Sequence, residues 1–257
     1  MILSALLVAN ISACNYVPEN ELENIAEHHT PSITNYNTSP SSQNTPFDIF
    51  TEPPVFSNYS DILREYKNLL IFKQEHDLSG AGAPYQKGEP IGIWETLIYS
   101  AQQTMAENAG YCIKDLNNDG ISELILISSL YKIKAIFTMV NGSPQSLGEY
   151  SNGNEIVVID ETGKIYTSGY GKAENWYTTV EQLLEDGNLA TLHFGCYDPN
   201  VNGNYDPLDL EYFQFYNGER TVIDENQLDE LIQKYHVDFL NFGETLRCAG
   251  FEPTLLF

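Results

Sequence analysis

The stretch Asp115-Leu116-Asn117-Asn118-Asp119-Gly120-Ile121-Ser122-Glu123 puts oxygen-bearing side chains at loop positions 1, 3, 5 and 9, with glycine at position 6. A hard cation such as Ca²⁺ takes about six to eight oxygen ligands at roughly 2.3–2.6 Å. Alternate residues of a tight loop point inward, so Asp115, Asn117 and Asp119 can converge on one ion. Gly120 permits the positive φ of the sharp turn. Ile121 would add its carbonyl, and Glu123 a carboxylate, directly or through water. The plain alternative is a metal-free polar turn, since Asp, Asn and Gly are common turn formers. Three carboxylates packed together repel one another, which favours the ion. The expected cofactor is a structural Ca²⁺ held by Asp115, Asn117, Asp119, Ile121 and Glu123.

Other residues carry weaker chemistry. Asp198 to Asp206 repeats the loop spacing with two carboxylates, which a hairpin loop explains without metal. His28-His29 falls in a polar stretch where paired histidines are simply solvated. His193 lies three residues before Cys196, which on a strand puts them on opposite faces, so a Cys–His catalytic pair is not expected. Cys112, Cys196 and Cys248 read as buried thiols, although an extracytoplasmic location allows one pair to form a disulfide. Nucleophile elbow, phosphate-binding loop, HExxH and dinucleotide loop are all absent from the sequence. Tyrosines are abundant, and Gly169-Tyr170-Gly171 with Trp176-Tyr177 is the place expected for an exposed aromatic patch.

The elements that hold the loop follow from periodicity. Ile62, Tyr66, Leu69 and Leu70 mark one helix face, and Ile93, Trp94, Leu97, Ile98, Ala101 and Met105 mark a second, with Gly110 as its left-handed cap. After Gly110 the period shortens towards two. Strands are expected over Glu123–Leu130, Lys132–Val140, Glu155–Asp160, Lys164–Ser168, Leu189–Tyr197 and Leu210–Tyr216, with turns at Asn141-Gly142 and Asn217-Gly218. Trp176–Leu184 suits a strand or a helix. Asp224 and Gln227 form a capping-box pair before Leu228, Leu231, Ile232 and Tyr235. The expected fold class is α+β: two N-terminal helices and one C-terminal helix on a mostly antiparallel sheet.

The chain of 257 residues carries 12 Lys and Arg against 36 Asp and Glu, a net charge of −24. Nothing in that balance can neutralise a row of phosphates, so nucleic acid is excluded as a partner. The apolar stretch Ile2–Ala9 is too short to span a bilayer and fits the core of a secretory signal. Residues 15–56 hold Pro18, Pro31, Pro40, Pro46, Pro53 and Pro54 and no Lys or Arg, the composition of a disordered linker. The organisation read from the sequence is a signal segment at 1–14, a linker at 15–56 and one α+β domain at 57–257.

Two resemblances add to this reading. Ile11-Ser12-Ala13-Cys14 resembles the lipobox of bacterial lipoproteins, although no basic residue precedes Arg64. That resemblance implies cleavage before Cys14, diacylation of its thiol and a lipid-anchored place on the outer face of the cytoplasmic membrane. The Asp115 loop resembles the first half of an EF-hand or dockerin loop, but position 12 is Leu126 and a strand follows. It is closer to the loops of FG-GAP-type β-structure. Helix, aromatic-led strand Tyr111–Lys114, acidic loop and apolar strand together resemble secreted and lipid-anchored proteins of Gram-positive gut bacteria without an assigned activity. The function expected is a non-enzymatic binding or adaptor role towards cell-wall glycan or a surface protein. The alternative is a cell-wall or carbohydrate-active enzyme with an acidic site. In a Gram-positive host the chain is expected to incorporate labelled palmitate, and Cys14→Ala to lose the label. Unchanged labelling of that variant would contradict the anchor.

Overall fold

The computed structural model describes residues 55–76, 78, 92–128, 132–150, 155–170, 176–197, 210–216, 219–236, 239 and 242–257. The signal, Cys14, residues 15–54 of the linker, the histidine pair and the Asp198–Asp206 loop lie outside the described residues, while Phe56, given to the linker's end, packs against the core under α1.

Two helices come first, α1 (Tyr59–Glu75) and α2 (Ile93–Gln102). Asn58 caps α1 by accepting from the Asp61 N–H at 3.0 Å, and the helix buries Ile62, Tyr66, Leu69 and Leu70. Helix α2 ends earlier than the apolar stripe predicts. The Lys73 ammonium of α1 donates to the carbonyls of Ala101, Gln102 and Thr104 at 2.9, 2.5 and 3.2 Å. It satisfies the acceptors that a continued helix would have used. Met105 is consequently 65% exposed, and a short 3₁₀ turn, Ala106–Asn108, follows. Gly110 is no helix cap. It opens a strand, and a Cβ there would sit 2.9 Å from the Thr254 carbonyl oxygen.

Strands β1 (Gly110–Lys114), β2 (Glu123–Ser128), β3 (Lys132–Val140) and β4 (Ser143–Glu149) form an antiparallel meander. Asn141 and Gly142 turn β3 into β4 with φ of 52° and 78°, the hairpin geometry their types favour. Six further strands make a second sheet: β5 (Ile156–Ile159), β6 (Ile165–Tyr170), β7 (Trp176–Leu183), β8 (Leu189–Tyr197), β9 (Glu211–Tyr216) and β10 (Glu219–Ile223). Helix α3 (Glu225–Lys234) follows with both capping-box bonds formed. Helix α4 (Phe242–Cys248) and strand β11 (Thr254–Leu255) close the chain, and β11 joins the first sheet beside β1.

The fold is α+β with antiparallel sheets, but the strands divide into two sheets where the sequence suggested one. Both faces of β2 are buried for that reason. Leu124 and Leu126 pack under α1 and α2, while Ile125 and Ile127 face the second sheet through Val157, Ile159, Ile165 and Leu183. Leu246, Ala249 and Phe251 close that middle core. The far face of the second sheet, with Tyr166, Val180, Leu192 and Phe194, is covered by α3 through Leu228 and Tyr235. The layers therefore run helices, sheet, sheet, helix.

Candidate metal loop and aromatic face

The acidic loop joins β1 to β2 and is built by its own side chains. Asn118 and Gly120 hold φ of 60° and 85°. Asp115 Oδ2 accepts from the Gly120 N–H at 2.9 Å, and Asp119 Oδ1 from the Ile121 N–H at 2.7 Å. Asn117 Oδ1 accepts from the Asp119 N–H at 3.3 Å, and its amide donates to Asp119 Oδ2 at 2.9 Å. These donors supply the partial positive charge that a cation would otherwise bring to the carboxylates. Asp115 Oδ1 is left buried with no hydrogen-bond partner. Ile121 is partly exposed at the loop's outer side.

Glu123 is placed differently. It opens β2 and is fully buried. Its Oε2 accepts from the Leu116 N–H at 2.8 Å and its Oε1 from the Thr138 hydroxyl at 3.0 Å. Burial pushes its carboxyl above the usual range, and the Asp119 and Asp115 charges add to that push, against the two donors. Glu123 thus ties the neck of the loop, while Asp115, Asn117 and Asp119 form its tip. Among the described residues no three His, Cys, Asp or Glu side chains converge as a ligand set. The donor chemistry nevertheless suits a hard cation: the loop holds two carboxylates and one amide oxygen, and Asp115 Oδ1 is buried with no hydrogen-bond partner.

Contacts with the second sheet fix the loop in place. The Leu116 carbonyl oxygen would lie 1.8 Å from a Cβ at Gly163, whose φ is +83°. The Gly163 turn is fastened by Asp160, which accepts from Thr162 N–H at 2.8 Å, Thr162 hydroxyl at 2.7 Å, Lys164 N–H at 3.1 Å and Tyr166 hydroxyl at 3.0 Å. On the other side, the Asn117 amide donates to the Leu184 carbonyl at 3.3 Å, in the turn after β7. The loop is therefore wedged against two turns of the second sheet. Thr138 and Leu184 carry no motif in the sequence, and Gly163 is visible only as part of the Glu161-Thr162-Gly163 hairpin turn, not as a seat for the loop. The acid opening the apolar run Glu123-Leu124-Ile125-Leu126-Ile127 is the one visible sign of a buried carboxylate.

A second feature lies on the face of the second sheet that packs on the first. Beyond the Ile165 and Leu183 contact, the same face carries Tyr177, His193, Tyr197, Phe213 and Phe215. His193 stands 5.1 Å from Tyr177 and 5.5 Å from Phe213, centroid to centroid. Phe213 lies 5.9 Å from Phe215 and 6.1 Å from Tyr197. The Arg220 guanidinium covers Tyr197 at 4.6 Å and pairs with Glu211 at 2.7 Å. Phe215 is 37% exposed. The aromatic patch expected at Trp176-Tyr177 is thus divided. Trp176 packs edge-on to Phe194 on the α3 face, 6.3 Å away, and only Tyr177 joins the row. The side chain of Tyr170 and residue 171 lie outside the described residues.

Cys112 and Cys196 are buried and free, and burial pushes both thiols up, away from reactivity. His193 bonds Thr179 through Nδ1 at 2.8 Å on the opposite face from Cys196, as the strand register predicts. No protein-family model, curated protein or solved structure matches the chain.

With Ca²⁺ about tenfold above its dissociation constant, the chain is expected to gain about 1.4 kcal/mol of stability. That is roughly 3–6 °C in melting temperature for a domain of this size. Mg²⁺ is expected to do less, because it demands a tighter octahedral shell. Asp119→Ala is expected to remove the shift. Melting curves in EDTA and in about 5 mM Ca²⁺ measure it. No shift in the native chain, or a full shift in Asp119→Ala, would contradict the metal loop.

Proposed function

We propose that the chain is a lipid-anchored bacterial surface protein whose domain binds glycan without catalysis, with Ca²⁺ as a structural ion in the Asp115 loop. The observation that carries the binding role is the row of rings on one sheet face, Tyr177, His193, Phe213, Phe215 and Tyr197, ending at the Arg220–Glu211 pair. Aromatic faces attract the C–H faces of sugar rings, and charged groups at the margin can bond hydroxyls. A strand-borne row is also stiff, so little ordering entropy opposes binding. A protein surface is the other partner such a face can take. Among the described residues Arg220 is the one Lys or Arg along the row, and it is already paired with Glu211, so an anionic protein would find little charge to match.

The ion supports this role indirectly. Wedged against the Gly163 and Leu184 turns, the loop would hold the second sheet and its row of rings, of which Tyr177 and Phe213 are buried and Phe215 is exposed. External calcium near millimolar would fill a modest site of this kind without any regulatory change. The anchor at Cys14 and the linker of residues 15–56 would then set the domain off the membrane surface.

The test is sedimentation of the chain with cell-wall peptidoglycan and insoluble polysaccharides. Binding is expected to fall about tenfold in Phe215→Ala, the size of one stacked ring worth about 1.4 kcal/mol. Tyr216→Ala removes a ring of similar exposure from the other sheet face and is expected to leave binding intact. Equal loss in both variants, or no retention on any glycan, would contradict the proposal.

A further inference from the structure

Three polar side chains from three elements meet at the end of α2. The Lys134 ammonium donates to Gln103 Oε1 at 3.2 Å, and Gln103 Nε2 donates to Glu149 Oε1 at 2.6 Å. One side-chain amide is thus held from both ends, by an amine at its oxygen and by a carboxylate at its nitrogen. An amide exchange needs this arrangement: a nucleophile beside the carbonyl and a proton carrier on the leaving nitrogen.

The fold fixes all three groups. Gln103 is the C-cap of α2, and Lys73 ties down the carbonyls of Ala101, Gln102 and Thr104 around it. Lys134 is the extra residue of a bulge in β3. Ile133 pairs with Ile127 and Ala135 with Leu126, and Lys134 falls between those two pairs. Ile133 and Ile136 face the second sheet, whereas Ala135 faces the helices. The bulge brings Lys134 to the helix side as well, where it reaches Gln103. Glu149 stands directly across from Ala135 in β4, and the Lys134 carbonyl accepts from the Tyr150 N–H at 2.9 Å, which fastens the end of β4 beside the bulge.

The surroundings favour reaction. Lys134 is only 5% exposed. Burial first, and then Lys132 and Lys73, push its ammonium towards the neutral amine, against the Glu149 charge. Burial also pushes Glu149 up to about 7, against Lys134. Both shifts favour a free amine beside a protonated acid over an ion pair. A neutral lysine is a nucleophile, and a carboxylic acid can protonate a leaving nitrogen.

We propose that Lys134, Gln103 and Glu149 form a self-processing site, in which the Lys134 amine displaces ammonia from the Gln103 side chain and leaves an isopeptide bond between α2 and β3. A proton first passes from the Lys134 ammonium to the Glu149 carboxylate. The Nζ lone pair attacks Gln103 Cδ, and negative charge gathers on Oε1. Glu149 then gives its proton to Nε2, the Cδ–Nε2 bond breaks and ammonia departs. The Glu149 carboxylate takes the extra proton from the new amide nitrogen and passes it to that ammonia. Lysine ammonium and primary amide become secondary amide and ammonium ion, with Glu149 regenerated. Gln103 lies at the surface, so the product has a way out, and its dilution into solvent makes the step irreversible. Holding amine and amide in contact replaces a bimolecular encounter. The bond would close a covalent loop around β1, the acidic loop and β2, and would remove a buried ammonium. The inference does not rest on the glycan or calcium readings.

The test is tryptic mass mapping of the full chain, denatured after folding. Trypsin is expected not to cut after Lys134. The fragments carrying Gln103 and Lys134 are expected as one species, lighter by one ammonia than their sum. Its formation is expected to be first-order and unchanged by diluting the chain. Lys134→Arg and Gln103→Ala are each expected to give separate fragments. Glu149→Gln is expected to slow linkage by about a hundredfold or more while keeping a cooperative melting transition. Separate, unmodified fragments from the native chain would overturn the proposal without any variant. A linked species that persists in Lys134→Arg, or forms equally fast in Glu149→Gln, would overturn the assignment of residues.

Discussion

The Glu123 carboxylate is fully buried at the mouth of β2, and a charge so placed has to be met by donors. The Leu116 N–H and the Thr138 hydroxyl are those donors, one from the loop and one from β3. Their two bonds draw the acidic loop shut and hold its carbonyl at Leu116 against Gly163 of the second sheet. Without Glu123, a buried N–H and a buried hydroxyl would both lose their partner, at a cost of about 1–3 kcal/mol each. The placement of the loop, and with it the contact between the two sheets, depends on this one carboxylate.

The two sheets meet at two polar places on either side of an apolar core. At one, Asp115 and Asp119 carry negative charge that backbone amides and the Asn117 side-chain amide answer in part. At the other, Glu149 accepts from the Gln103 amide, which accepts from the Lys134 ammonium, and Glu155 accepts from the Tyr177 hydroxyl. Between them lie Ile125, Ile127, Val157, Ile159 and Ile165, which supply the non-directional part of the association. Apolar contact alone would tolerate sliding of one sheet over the other. The polar places specify a single pose, and Tyr177 links that pose to the aromatic row, because it bonds Glu155 and contacts His193.

Much of this was legible in the sequence, and the rest was hidden for definite reasons. The Asp115 loop, the Asn141-Gly142 turn and the Asp224–Gln227 capping box declare themselves because each depends on residues adjacent in the chain. The near-unbroken apolar run of β2 correctly signalled a strand buried on both faces. It did not say that a second sheet, and not a further helix layer, covers one of them. Strand β4, Ser143-Pro144-Gln145-Ser146-Leu147-Gly148-Glu149, has almost no apolar content, being an edge strand, and left no periodic mark. The end of α2 was misread because the stripe continued to Met105, while Lys73, nearly thirty residues earlier, takes the carbonyls. The Thr138 partner of Glu123 and the Gln103 partner of Glu149 come from other elements of the fold, and no local pattern encodes such meetings.

The central claim is that the Asp115 loop, with its ion, pins the two sheets together. Hydrogen exchange of the full chain with and without millimolar Ca²⁺ tests it most directly. The account predicts slower exchange at Leu116, Gly120 and Ile121, and also at the contacted turns, Asp160–Gly163 and Leu184–Gly187, which belong to the other sheet. Protection confined to the loop, or exchange indifferent to Ca²⁺ throughout, would contradict it.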